Sequence, residues 1–152
     1  MKIERVRGNN RRRAFEVTLP GRGTLFFPYA RSDPPPSPEN PIVSLFIDPE
    51  LGYEGLTYRL RSGQEGSVLA DHVLEYNRDP SYMRDLLLHQ LTVEAKKRLD
   101  SSGLGMREVA RRLSTSPAQL YRLLDTTNYR KTVDRMLELL AVLDADVRVE
   151  VR

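Results

Sequence analysis

The apolar residues of this chain change their spacing once, near Asp79-Pro80, and that change limits the folds open to it. Upstream, Leu56, Tyr58 and Leu60 alternate with Thr57, Arg59 and Arg61, the two-residue period of a half-buried strand. Downstream, leucines recur every three or four residues, as in helices with one buried face. Two periods in separate blocks predict an α+β chain rather than alternating strands and helices. The expected organisation is an antiparallel β-domain over residues 1–78, a small barrel or sandwich, then an α-helical domain over residues 79–152.

In the first block, Arg11–Leu19, Gly23–Ala30, Pro41–Asp48 and Gly55–Arg61 are short and rich in β-branched and aromatic residues. Turn chemistry separates them: PGRG at Pro20–Gly23, DPPPSPENP at Asp33–Pro41 and SGQEG at Ser62–Gly66. KIERVR is placed to pair with RRRAFEV across an Asn-Asn turn, so the basic run RGNNRRR reads as a solvent-facing hairpin end. FFPYA reads as core packing. GSVLADHVLEYN fits a strand or a helix equally well.

In the second block, Asp79 is an N-cap ahead of a proline at the first helical position. Leu87, Leu91, Ala95 and Leu99 then share one face, a break near Leu91–Thr92 is compatible with the pattern, and Gly103 is a C-terminal stop. Met106–Leu113 turns Val109, Ala110 and Leu113 inward. Pro117–Leu124 turns Leu120, Leu123 and Leu124 inward. Arg130–Leu143 buries Val133, Met136, Leu137, Leu140 and Leu143. Leu139 and Val142 widen its apolar arc, which calls for a second partner, either the β-domain or another subunit. In DVRVEVR, Val147, Val149 and Val151 alternate with Arg148, Glu150 and Arg152. That segment reads as a short β-strand, pairing with its own copy in a dimer or completing the N-terminal sheet.

Apolar residues make up 39% and charged residues 30%, so a folded, water-soluble protein is expected. No apolar run approaches the roughly 20 residues that span a bilayer. MKIERVRGNNRRR lacks the apolar core of a secretory signal. The chain has no cysteine, which excludes disulfides and thiol catalysis and fits a cytoplasmic protein. His72 and His89 lack ligand spacing, so neither a metal nor a cofactor is implied. No nucleophile elbow, phosphate loop or HExxH pattern is present, and no enzymatic activity is expected. The net charge of +3 is unevenly placed: residues 96–131 hold nine basic and three acidic side chains. A local basic field of that kind attracts phosphate.

That basic stretch contains STSPAQLYRLL, Ser114–Leu124, where one helix stops and another starts at once. A helix–turn–helix needs a small residue in its first helix, a short polar turn and a clean second start. Ala110, Ser114-Thr115-Ser116 and the Ser116-Pro117 cap supply these, with Gln119 completing an S-x-x-Q capping box. With Leu120 and Leu123 inward, Ala118 and Arg122 point outward and Gln119 and Tyr121 lie on the flanks. Arginine reads guanine, glutamine reads adenine, and alanine touches the thymine methyl. If Gln119 folds back onto Ser116, it is less free to read a base.

Over about residues 91–143, Val109, Ala110, Leu113, Leu120 and Leu123, with a further helix after a short loop, resemble the Cro/repressor (Xre-type) helix–turn–helix family. The resemblance implies a second motif helix in the major groove and neighbouring loops on the phosphates. It implies that Thr115, Ser116, Gln119, Tyr121 and Arg122 face DNA, and that Asn128, Arg130 and Lys131 sit near its backbone. In the family the turn usually begins with glycine, where this chain has Ser114. A glutamine is common at the start of the first motif helix, where this chain has Met106. The helix followed by ADVRVEV resembles Xre-type antitoxins and small autorepressors.

The expected function is a sequence-specific DNA-binding transcriptional regulator, a repressor or autoregulator, acting as a homodimer on double-stranded DNA. The alternative is an antitoxin-like protein whose β-domain or terminal strand binds a partner protein. No membrane partner is expected.

Overall fold

A computed structural model describes all 152 residues and is α+β, with two compact units, Met1–Tyr82 and Met83–Arg152. The first unit holds two three-stranded antiparallel sheets. In one, β1 (Arg5–Asn9), β2 (Ala14–Leu19) and β3 (Gly23–Pro28) follow chain order, with Val6 opposite Val17 and Phe15 opposite Phe27. In the other, β4 (Ile42–Ile47), β5 (Gly55–Leu60) and β6 (Glu65–Leu69) do the same, with Leu56 opposite Val68. The sheets are separate hydrogen-bonded sets and no closed barrel forms.

The middle strands carry the core, because only they have neighbours on both edges. Phe15, Val17 and Leu19 of β2 and Leu56, Tyr58 and Leu60 of β5 are fully buried in one cluster. The Phe15 ring lies 4.8 Å from Tyr29 and 5.1 Å from Tyr58. Burial of a phenol requires a partner for its hydroxyl. Tyr58 donates to the Pro34 carbonyl at 2.7 Å, and Tyr29 donates to Asn10 Oδ1 at 2.9 Å. The Asp33–Pro41 loop is thus tied to the core rather than left free. Tyr58 also lies across its cross-strand neighbour Gly66, where an added Cβ would collide with the phenol oxygen. GSVLADHVLEYN resolves as both of its readings: β6, then α1 (Ala70–Tyr76), with Val73 and Leu74 buried in the same cluster.

Asp79 accepts from the Tyr82 N–H and opens α2 (Pro80–Ser102) as an N-cap. The same carboxylate takes two hydrogen bonds from Arg22 in the β2–β3 turn, at 3.0 and 3.1 Å. Helix α2 runs unbroken through Leu91–Thr92. The buried Thr92 hydroxyl donates to the Leu88 carbonyl one turn back, so the polar residue needs no break. The inward face is Leu88, Thr92 and Ala95, flanked by Leu91 and Leu99. Leu87, expected inward, is 43% exposed.

After α2 come α3 (Met106–Arg112), α4 (Pro117–Leu123) and α5 (Val133–Val142), capped by the Thr132 hydroxyl. Their buried residues form one aliphatic cluster with Leu88 and Ala95 of α2. Along α5 and its C-cap Leu143, Met136, Leu139, Leu140 and Leu143 are buried at the spacing of a single face. Leu139 therefore replaces the expected Leu137, which is 39% exposed. The terminal strand does not form: residues 146–152 carry no regular structure. A strand requires a neighbour for its backbone groups, and this segment has none. No helix of the chain is long and apolar enough to cross a membrane.

Candidate nucleic-acid interface

The stretch Met106–Leu124 forms two seven-residue helices joined by a tight turn. Helix α3 ends in a Schellman motif: the Thr115 N–H reaches the Ala110 carbonyl and the Ser114 N–H reaches the Arg111 carbonyl. Ser114 carries the left-handed conformation this motif needs, with φ at +56°. The backbone therefore takes the glycine conformation with a serine in place. Ala110 is buried, which allows close packing of α3 against its neighbours.

Helix α4 starts where Ser116 Oγ accepts from the Gln119 N–H at 3.2 Å, with Pro117 at the first position. The reciprocal bond of a capping box is not made: the Gln119 side chain is exposed and has no partner within the chain. Leu120, Leu123 and Leu124 fix the inner side of α4 in the core. Its outer side presents Ala118, Gln119, Tyr121 and Arg122, all exposed, with Tyr121 at 63%. Arg122 makes no ion pair.

The loop after α4 behaves differently from its expected role. Lys131 is buried, and its ammonium donates to the Leu123 and Asp125 carbonyls at 2.7 and 2.9 Å. Burial pushes its pKa down, with Asp125 opposing. The Asn128 amide donates to the Arg122 carbonyl at 3.0 Å and accepts from the Arg130 N–H at 3.1 Å. Both residues close the C-terminal end of α4, where carbonyls lack helical partners. Lys131 is thus an inward cap and not a solvent-facing cation. Arg130 remains exposed and unpaired. The eight predicted contact residues therefore divide. Gln119, Tyr121, Arg122 and Arg130 are open to solvent; Ser116, Asn128 and Lys131 hold α4 in shape; Thr115 is half-buried in the turn.

Charge on α3 is also arranged. Glu108 holds Arg111 at 2.6 Å and Arg112 at 2.9 Å. The two guanidiniums, Arg111 first, pull the Glu108 carboxyl down to about 2. Neighbouring Arg107 has no carboxylate partner and is exposed. The clamp role of Glu108 follows from i,i+3 and i,i+4 spacing and was open to sequence reasoning. The inward turn of Lys131 had no such signal.

Comparison with family models, curated proteins and solved structures finds no match for this chain. The chemistry of the site rests on its own residues.

Proposed function

We propose that this chain is a sequence-specific DNA-binding transcriptional regulator of the Xre type, acting as a repressor or autoregulator. The observation that carries this reading is the outer face of α4. Gln119, Tyr121 and Arg122 stand exposed and uncommitted on a helix fixed from behind and capped at both ends. Packing does not require a glutamine, tyrosine and arginine there. They lie within a stretch of nine basic and three acidic residues.

In this reading α4 enters the major groove. Arg122 contacts a guanine edge, Gln119 an adenine edge and Ala118 a thymine methyl. Arg107 and Arg130 neutralise phosphates and set the register. Arg111 and Arg112 contribute less, because Glu108 already holds them. Two copies bind two half-sites about 34 Å apart on a near-palindromic sequence. The outcome is occlusion of a promoter.

The test is fluorescence anisotropy with a duplex from the gene's own upstream region and a scrambled duplex, across a salt series. Preference that survives rising salt supports base readout and autoregulation. Equal binding that collapses with salt reduces the reading to phosphate attraction. No binding at low salt removes it.

A further inference from the structure

In Asp146–Arg152 the sequence pattern and the structure part company. The segment alternates valine with charge, yet it forms no strand, and Val149 and Val151 are 86% and 89% exposed. Arg148 Nε meets Asp146 Oδ2 and Arg152 Nε meets Glu150 Oε1, both at 3.0 Å. Residues two apart share a side in an extended chain, so a strand formed here sets the four charges on one side and the three valines on the other.

We propose that two copies of this chain associate through this segment as an antiparallel strand pair, related by a two-fold axis at Val149. In that register Val149 faces Val149 of the second copy and Val147 faces Val151. Arg148 faces Glu150, Asp146 faces Arg152, and each of these pairs occurs twice. Every charge meets its opposite and every valine meets a valine. Moving the axis to Arg148 sets Asp146 against Glu150; moving it to Glu150 sets Arg148 against Arg152. A one-residue slip opposes valine to charge. A parallel in-register pair opposes arginine to arginine. Axes at Val147 or Val151 match charges over only three residues of the segment. One register therefore uses the whole segment without repulsion, and cross-strand pairs of this kind are what stabilise a sheet.

The contact is isologous, so it closes at two copies. It supplies the backbone partners that the lone segment lacks. A two-stranded ribbon is marginal by itself, and its valine side needs a cover. Helix α5, which directly precedes the segment, offers the exposed Leu137 and the half-buried Val142. The association does not depend on DNA binding and is read without DNA.

The experiment is sedimentation equilibrium of the full chain at low salt, with Arg148→Glu and Glu150→Arg made separately. The wild type sediments as a dimer. Each variant opposes like charges twice and weakens self-association by about tenfold or more. An equimolar mixture of the two variants restores a dimer with one copy of each, because the reversed charges again meet opposites. Circular dichroism of each variant matches the wild type, since the exchanged side chains are exposed. A wild type that stays monomeric up to about 100 µM overturns the proposal, since association follows concentration. So do variants that dimerise as well as the wild type, and so does a mixture that stays monomeric.

Discussion

The two units fill their interiors with different side chains. The β-unit buries Phe15, Phe27, Tyr29 and Tyr58, with the Phe15 ring against both tyrosines and both hydroxyls satisfied. The hydrophobic cluster of the helical unit holds only leucine, valine, alanine and methionine, and Tyr121 and Tyr129 stay outside it. Two sheets leave a gap that rings fill well. Packed helices need close approach instead, which the buried Ala95 and Ala110 permit. A tyrosine on the surface of an aliphatic bundle is therefore surplus to packing. That separates Tyr121, exposed beside Arg122 on α4, from the tyrosines of the β-unit core.

The largest test of this contrast is Phe15→Ala. It should destabilise the β-unit by about 3–5 kcal/mol, read by urea denaturation with tyrosine fluorescence. The far-UV helical signal should largely persist. A loss below about 1 kcal/mol would remove the aromatic cluster as the anchor of that unit.

In the helical unit, Lys131→Met should cost about 1–3 kcal/mol in thermal stability, because the Leu123 and Asp125 carbonyls lose their donor. If stability held and only DNA affinity fell, Lys131 would be a phosphate contact after all. Arg122→Ala should show the reverse pattern. Its affinity for the preferred duplex should fall by about 1–3 kcal/mol, with random DNA and stability little changed. Equal loss on both duplexes would sink base reading by Arg122.

Asp79→Ala should cost about 1–2 kcal/mol through the lost cap, measured by chemical denaturation. The Arg22 guanidinium first, then the Tyr82 N–H, hold the Asp79 carboxyl below its ordinary value of 3.8. A lowered carboxyl stabilises the fold above that ordinary value, and the contribution is lost as pH falls below it. The variant should therefore lose less stability than the wild type as the pH falls below about 4. The smallest expected effect is a gain. Ser114→Gly should stabilise the helical unit by about 1 kcal/mol, because the +56° φ no longer strains an L-residue. A loss in calorimetry would mean that the serine side chain has a role of its own.

Features set by neighbours in the chain were legible in the sequence. The hairpin strands, the Asp79 and Ser116 caps and the inner faces of α3 and α4 all follow from spacing within a few residues. Helix phase was less so. Leu87 gave way to Leu88, and Leu137 to Leu139, because an apolar arc wider than one face does not say which part meets the core. Lys131 was misplaced because lysine is ordinarily exposed, and its inward turn depends on carbonyls at the end of another element. The serine at Ser114 hid a left-handed turn, since only the backbone hydrogen bonds reveal it.

By itself the sequence determined the change of period at Asp79-Pro80, the two architectures on either side and the two short helices with their turn over Met106–Leu124. Those features rest on local sterics and hydrogen bonds. Only the tertiary structure decided that two separate sheets share one aromatic core and that Asn128 and Lys131 belong to α4's end. It also decided that Asp146–Arg152 lies unpaired. Each depends on groups distant along the chain, and a strand pattern becomes a strand only when a neighbour meets its backbone.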